Sequence, residues 1–258
     1  MEHSIVRSLA KEVYLSVILP IRLRRVIRSA SLFVNYSGNE SSTAERIGWE
    51  TDKIIPFGYF PPPLPGSAFV ERHLERVGPF RFLLTGEHTR HRDPLVFVRA
   101  IKLLRESHPS LHFEGVVCGS GPLAGELERF ISRNNLPVQM KGFVSLPELV
   151  HQYMTADCFV AAGRSEPWGI RINDAVQCGC PVIVSEGMGA KKLVSDTDCG
   201  YVFQRGSPED LADKMRRLVL DRDEYLRVAG NMRVAARTCS PGRNAGCLAA
   251  AIKKTSVA

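Results

Sequence analysis

From Phe80 onward the chain alternates short apolar runs with segments of helical periodicity. No other feature constrains its fold as strongly. Residues 80–85, 112–118, 138–141, 158–162, 181–185 and 200–203 read as strands. Between them, 94–107, 123–134, 146–156, 170–177 and 189–194 read as helices or helical turns, and 208–220, 224–237 and 242–253 follow as helices. Ser145-Leu-Pro-Glu148 and Ser207-Pro-Glu-Asp210 have the pattern of an N-cap with proline in the first turn. The run at 80–85 is mostly apolar, with Arg81 its one charged residue, and reads as a strand buried on both faces. Strand–helix units at this rhythm build a parallel sheet. Such sheets bind ligands beyond the carboxyl ends of their strands, so the loops after residues 85, 118, 141, 162 and 185 are the places to look for chemistry.

The first 79 residues are organised differently. Ile5, Leu9, Val13 and Val17 recur at helical spacing within residues 2–30. A strand at 31–35, a brief helix at 41–47 and a strand at 53–57 come next. Phe60-Pro-Pro-Pro-Leu-Pro65 cannot be helix or central strand, because proline fixes φ and removes donors. These features divide the chain into 1–60, a proline-rich linker over 61–79, and an α/β domain over 80–258. The apolar run at 14–21 is far short of the roughly 20 residues of a membrane span. The arginines after it (Arg22, Arg24, Arg25, Arg28) give segment 14–28 two readings: peripheral contact with an anionic membrane, or a helix packed on a neighbouring domain with its arginines in solvent.

Composition excludes several classes. The formal charge of +7 admits anionic partners, but no zinc-finger spacing and no aromatic-basic signature points to nucleic acid. The 7 cysteines are odd in number and form no CxxC. That pattern supports neither a disulfide framework nor a zinc site; buried thiols in a reducing cytoplasm are expected.

Three loops carry candidate chemistry. Gly86-Glu-His-Thr-Arg-His-Arg-Asp-Pro94 places Arg90 and Arg92 at a strand end, where guanidinium groups match phosphate oxygens in a bidentate way; a solvated loop is the alternative. Its His88 and His91 lack metal-ligand spacing. Gly119-Ser-Gly121-Pro122 can bring amides to a phosphate at a helix start, or merely turn strand into helix. Gly163-Arg-Ser-Glu166-Pro-Trp-Gly-Ile-Arg-Ile-Asn-Asp174-Ala is the most informative. Counted at 100° per residue, Glu166 and Asp174 return to nearly one face. Gly169 between them exposes helix N-terminal amides, where anions are favoured. The bland reading makes Glu166 a helix cap and Asp174 a solvated side chain.

At these residues the sequence resembles glycosyltransferase family 4, whose members have two Rossmann-like domains facing across a cleft (the GT-B arrangement) and transfer with retention. The resemblance runs over about residues 31–254. It rests on Ser165-Glu-Pro-Trp-Gly-Ile-Arg-Ile-Asn-Asp-Ala175 with Gly179-Cys-Pro-Val-Ile-Val-Ser185, supported by Gly119-Ser-Gly-Pro122, Gly142-Phe-Val144, Tyr153-Met-Thr-Ala-Asp157 and Lys53-Ile-Ile-Pro-Phe-Gly58. It implies a Rossmann-like parallel sheet flanked by helices, forming the C-terminal donor-binding half behind the end of an N-terminal acceptor domain. It implies a nucleoside-diphosphate sugar as donor, a glycan or lipid-linked acceptor as in polysaccharide biosynthesis, and neither an obligatory metal nor another cofactor. Glu166 would contact the transferred sugar and Arg92 would neutralise the leaving diphosphate. Arg90 would assist. Gly119 and Gly121 would face phosphate, Val144 the base, and Asp174 the ribose. Trp168, Gly169 and Ile170 would supply amides.

Departures from the family pattern accompany the match. Glu87 stands where an arginine is usual, Asp174 where a glutamate is usual, and Lys192 where a glutamate is common. About two thirds of the family's N-terminal domain has no counterpart in the sequence. A second reading therefore stands beside the enzyme: a non-catalytic nucleotide-sugar-binding module, or half of a split enzyme. A nucleotide-sugar epimerase is a third, opposed by the carboxylate pair.

Overall fold

The computed structural model describes residues 27, 33–35, 42–71 and 78–255. The basic segment 14–28 lies almost wholly outside the described residues, as does 72–77 of the linker.

Before the main sheet, strand β1 (Phe33–Asn35) pairs in parallel with β2 (Ile54–Pro56), with Phe33 opposite Ile54. A one-turn helix α1 (Ser42–Arg46) lies between them in sequence. Ala44, Ile47, Trp49 and Ile54 form a small buried cluster of their own.

The main sheet has six strands, all parallel: β3 (Phe80–Thr85), β4 (Phe113–Cys118), β5 (Val138–Gly142), β6 (Cys158–Ala161), β7 (Val182–Ser185) and β8 (Gly200–Phe203). Their spatial order is β5-β4-β3-β6-β7-β8. The helices are α2 (Pro94–Ser107), α3 (Ala124–Arg133), α4 (Leu146–Thr155), α5 (Ile170–Gln177), α6 (Lys191–Thr197), α7 (Pro208–Leu220), α8 (Arg222–Thr238) and α9 (Pro241–Thr255). Both expected caps form: Ser145 accepts from the Glu148 amide and Ser207 from the Asp210 amide. The helical turn expected at 189–194 forms as α6, which starts two residues later and ends three later, because the backbone before it is engaged elsewhere: the Gly189 and Ala190 amides donate to Glu166 O and Trp168 O.

Strand side chains alternate between two cores. Phe82, Leu84 and Val117 point into one with Phe97, Ile101 and Leu127 from α2 and α3. Leu83, Val116 and Phe159 point into the other with Tyr153, Ile172 and Val194 from α4, α5 and α6. Both sheet faces are covered, so the central strands β6 and β7 are buried throughout, while the charged residues of β3 and β4, Arg81 and Glu114, pair with each other. Six of the seven cysteines are buried free thiols in or beside these cores, and Cys247 is exposed. Burial pushes the Cys118 thiol up to about 11.

The proline-rich stretch runs along α5. Asn173 Nδ2 donates to Tyr59 O at 2.9 Å, Gln177 Nε2 to Pro61 O at 3.3 Å, and the Val70 amide to Cys178 O at 3.2 Å. Prolines cannot donate, so their neighbours' carbonyls are satisfied by side chains instead. Phe60 stacks edge-on against Trp168 with centroids 5.2 Å apart.

Candidate functional site

Strands β3, β4 and β5 succeed one another outward in one direction, and the chain then crosses to place β6 on the other side of β3. The loops after β3 and β6 therefore diverge, and a crevice opens between them at the carboxyl edge of the sheet. Open α/β sheets bind ligands at such a switch point.

The two loops are stitched together. The Arg164 amide donates to His91 O at 2.9 Å, and Arg164 Nε stands 2.7 Å from Asp93 Oδ2. Asp93 sits in the left-handed region at φ 46° as the residue before α2. Glu166 is held by its own backbone: its amide donates to Gly187 O, its carbonyl accepts from Gly189, and it forms an isolated parallel bridge with Met188. Its side chain, only 14% exposed, ion-pairs with Arg92. Burial, and then the like charge of Arg171, press the Arg92 pKa below its usual value, while Glu87 opposes them.

Two clefts adjoin here. The inner one, about 30 Å³, is bounded by Thr85, Arg92, Ala162, Glu166, Gly169 and Arg171. The outer one, about 320 Å³, lies over the ends of β3, β4 and β5 and is bounded by Gly86, Cys118, Gly119, Phe143, Val144 and Leu149. Glu87 lines both.

The structure brings several of the expected residues together. Arg92, Glu166 and Gly169 meet in the inner cleft, and Gly119 and Val144 lie in the outer one. Gly169 is the N-cap of α5 at φ 100°, and a Cβ there would come within 2.5 Å of Met188 Cε. Ile170, the first helical residue, is 38% exposed. Arg90 is exposed and lines neither cleft. Trp168 is buried, its Nε1 donating to Asn173 Oδ1 at 2.7 Å, so its ring braces α5 and the proline-rich stretch.

The glycines after β4 have a packing reason. A Cβ on Gly119 would run into the Gly86 carbonyl, and one on Gly121 would stand 2.7 Å from the His88 amide nitrogen. The Gly119 amide is already bonded to Gly142 O. The turn reading, with two loop backbones in close approach, accounts for both residues. His88 is buried under this contact, and burial lowers its pKa; His91 is exposed. Among the described residues no group of three or more His, Cys, Asp and Glu side chains is placed to hold a metal ion.

The phase argument for the two carboxylates needs correction. The helix begins at Ile170, and Gly169 breaks the periodicity, so counting 100° steps from Glu166 does not apply. Asp174 lies on α5, lines neither cleft, and is mostly buried near Arg171 and Tyr153. Burial, partly offset by Arg171, pushes its carboxyl up to about 6. The Tyr153 hydroxyl pairs with Thr85 Oγ1 at 2.9 Å.

Sequence reasoning missed two residues. Arg171 lines both clefts; its signal was a cation in the first turn of a helix, where the macrodipole disfavours one. Phe143 stands 87% exposed at the mouth of the outer cleft; its signal was a large aromatic directly after a strand-ending glycine.

A doubly wound parallel sheet with a charged crevice at its switch point defines a Rossmann-like ligand-binding domain. The family model described as glycosyl transferases group 1 matches residues 68–234, and the chain belongs to that family. It is 29% identical over 244 residues to D-inositol 3-phosphate glycosyltransferase of Paenarthrobacter aurescens, covering 86% of this chain and 59% of the relative. To the protein of the same name from Corynebacterium jeikeium it is 32% identical over 177 residues, covering 64% and 42%. The chain thus spans about half the length of these relatives. Among solved structures, Anabaena HepE in complex with UDP superposes with a TM-score of 0.75 at 17% identity, covering 92% of this chain and 67% of that one. This likeness supports the GT-B-type fold.

Proposed function

We propose that the chain is the donor-binding part of a retaining glycosyltransferase of family 4, which takes a sugar from a nucleoside diphosphate and passes it to a glycan or lipid-linked acceptor in the cytoplasm. The observation that carries this reading is Arg92 beside Glu166 at the switch point, under the N-terminus of α5. The names of the relatives support it, as does the HepE structure solved with UDP and glucose.

When the bond between the anomeric carbon and the β-phosphate oxygen breaks, its electron pair stays with the diphosphate. In this reading Arg92 and the α5 amides stabilise that charge and no metal is required, an effect worth several kcal/mol in a preorganised site. Glu166 accepts hydroxyls of the transferred sugar. Ion-paired Arg92 is then in its waiting position, and the incoming diphosphate competes with Glu166 for it.

Calorimetric titration of the protein with UDP, GDP, ADP and their sugar conjugates tests the reading. One nucleotide is expected to bind, more weakly in Arg92→Ala. Absence of binding to all of them by folded protein would defeat it. Because the chain spans about half of its relatives, a binding module that works with a separate acceptor half is the second reading. Sugar transfer by the chain alone separates the two, and in that assay Glu166→Ala is expected to lose transfer while still binding nucleotide.

A further inference from the structure

Arg171 occupies an electrostatically awkward position. It is the second residue of α5, where the helix dipole is positive, and it lies close enough to Arg92 to depress that residue's pKa. Among the described residues no carboxylate lies within ion-pair distance of it, whereas Arg92 has Glu166 and Arg164 has Asp93. A half-buried cation placed against a helix N-terminus and a second cation, with no carboxylate in ion-pair contact and only the more distant charge of Asp174 to offset it, raises the energy of the empty site.

Its side chain is nonetheless accommodated by design of the neighbouring backbone. It reaches from α5 to the end of β3, where a Cβ on Gly86 would stand 3.0 Å from Arg171 Nη1 and 3.1 Å from its Cζ. Gly86, at φ 130°, leaves the space that the guanidinium fills. There Arg171 forms part of the wall of both clefts, and it is the only cation that does. The inner cleft is too small for a purine or pyrimidine, and the outer one is roomy and largely apolar. Any ligand with a planar group in the outer cleft and a sugar near Glu166 must carry its connecting atoms past Arg171.

We propose that Arg171 is a second diphosphate-binding cation, which shares with Arg92 the charge of a nucleoside diphosphate laid across the seam between the two clefts. The inference rests on the donor-site reading and assigns a residue that reading does not require. Two guanidinium groups approaching from different elements, α5 and the loop after β3, would grip the anion from two sides, and a guanidinium fork can bind two phosphate oxygens at once. The anion is the missing counter-ion: it relieves the repulsion between Arg92 and Arg171 and meets the helix dipole with the favourable sign.

Affinities of the full chain for inorganic pyrophosphate, for the nucleoside diphosphate that binds best and for the matching monophosphate test this. The variants are Arg171→Met, Arg171→Lys and, as a remote charge control, Lys102→Met, whose lysine pairs with Glu106 on α2. Arg171→Met is expected to weaken diphosphate and pyrophosphate binding by about tenfold or more and monophosphate binding much less, as loss of a charge-assisted contact does. Arg171→Lys should fall between, and Lys102→Met should bind like wild type. Equal diphosphate affinity in wild type and Arg171→Met overturns the proposal. So does equal loss of all three ligands, which marks a structural role in α5. If Arg171→Met does not fold, unchanged diphosphate affinity in Arg171→Lys overturns it. Wild type that binds pyrophosphate in an Arg171-dependent way but no nucleotide refutes the donor-site reading while leaving the anion site standing; wild type that binds neither refutes both.

Discussion

The two clefts that meet at the switch point are built on opposite principles. The inner one is narrow and charged, with Arg92, Glu166 and Arg171 closing on each other at the end of β6. The outer one is about ten times roomier and presents Phe143, Val144, Leu149 and Cys118, with charge only at the wall it shares with its neighbour. In the narrow cleft, geometry is fixed by backbone bonds at Glu166 and by the left-handed Gly169. In the wide one, shape is fixed by glycines that let two loops touch. One sheet edge therefore offers an electrostatic site and an apolar shelf side by side; Thr85, Glu87 and Arg171 line both, and the two loops that carry the shelf touch at Gly86 and Gly119.

The largest effect is expected where the two loops of the outer cleft touch. Gly119→Ala puts a Cβ into the Gly86 carbonyl at φ 125°, combining steric overlap with a strained backbone. It should cost about 3 kcal/mol or more in urea unfolding. Gly125→Ala, in the first turn of α3 with only Arg129 Nη1 at 3.4 Å, should instead be neutral or stabilising by about 0.5 kcal/mol. If both cost the same, the loops after β3 and β4 are not held in close backbone contact. Next in size is Arg92→Ala. It removes charge from the inner cleft alone and should weaken nucleoside-diphosphate binding about 30-fold, near 2 kcal/mol. A monophosphate titration should move far less; equal losses for the two ligands would erase the division of labour between the clefts.

A third prediction concerns the wall behind the inner cleft. Asp174 titrates near 6 in the folded protein and near 3.9 when unfolded. Between those values the folded state holds more protons, so stability falls as pH rises through that window. The neutral carboxyl is tolerated and the ionised one costs up to about 3 kcal/mol. Asp174→Asn should flatten this fall, so that the variant gains on wild type between pH 4 and pH 7 in denaturant titrations. A constant difference across that range would place Asp174 in solvent, as the bland reading of the sequence has it.

The strands and helices were legible because their signals are local: apolar runs such as Val182-Ile-Val184 need cover on both faces, and the caps at Ser145 and Ser207 are local chemistry. The pairing of Arg92 with Glu166 was half legible. Each could be placed at a strand end, but their contact depends on strand order, and nothing in 80–166 states that β6 crosses to the other side of β3. The role of Gly119 was ambiguous for the same reason: a close approach is a property of two segments, and the Gly86 carbonyl is far away in sequence. Asp174 shows the opposite failure, in which helical phase was carried through Gly169 into a stretch that is not helical. Arg171 was overlooked because its neighbour across space is a glycine, which offers no side chain with which to pair in a sequence reading.

The smallest expected effect tests the apolar shelf. Phe143 follows Gly142, which takes φ 65° and so ends β5 sharply, and the ring is left standing beside the outer cleft with 87% of its surface in water. An exposed phenyl ring has lost little solvent contact on folding, so Phe143→Ala should leave thermal stability within about 0.5 kcal/mol. A base stacked on it should cover the ring, and its removal should weaken nucleotide binding by about fivefold, near 1 kcal/mol, at the low end for base–aromatic stacking because only one face is available. The loss should be the same for monophosphate and diphosphate, and pyrophosphate binding should not change. That pattern is the mirror of the one expected at Arg92. A Phe143→Ala variant that binds pyrophosphate more weakly, or nucleosides as well as wild type, would mean that the outer cleft is not where the planar part of the ligand rests.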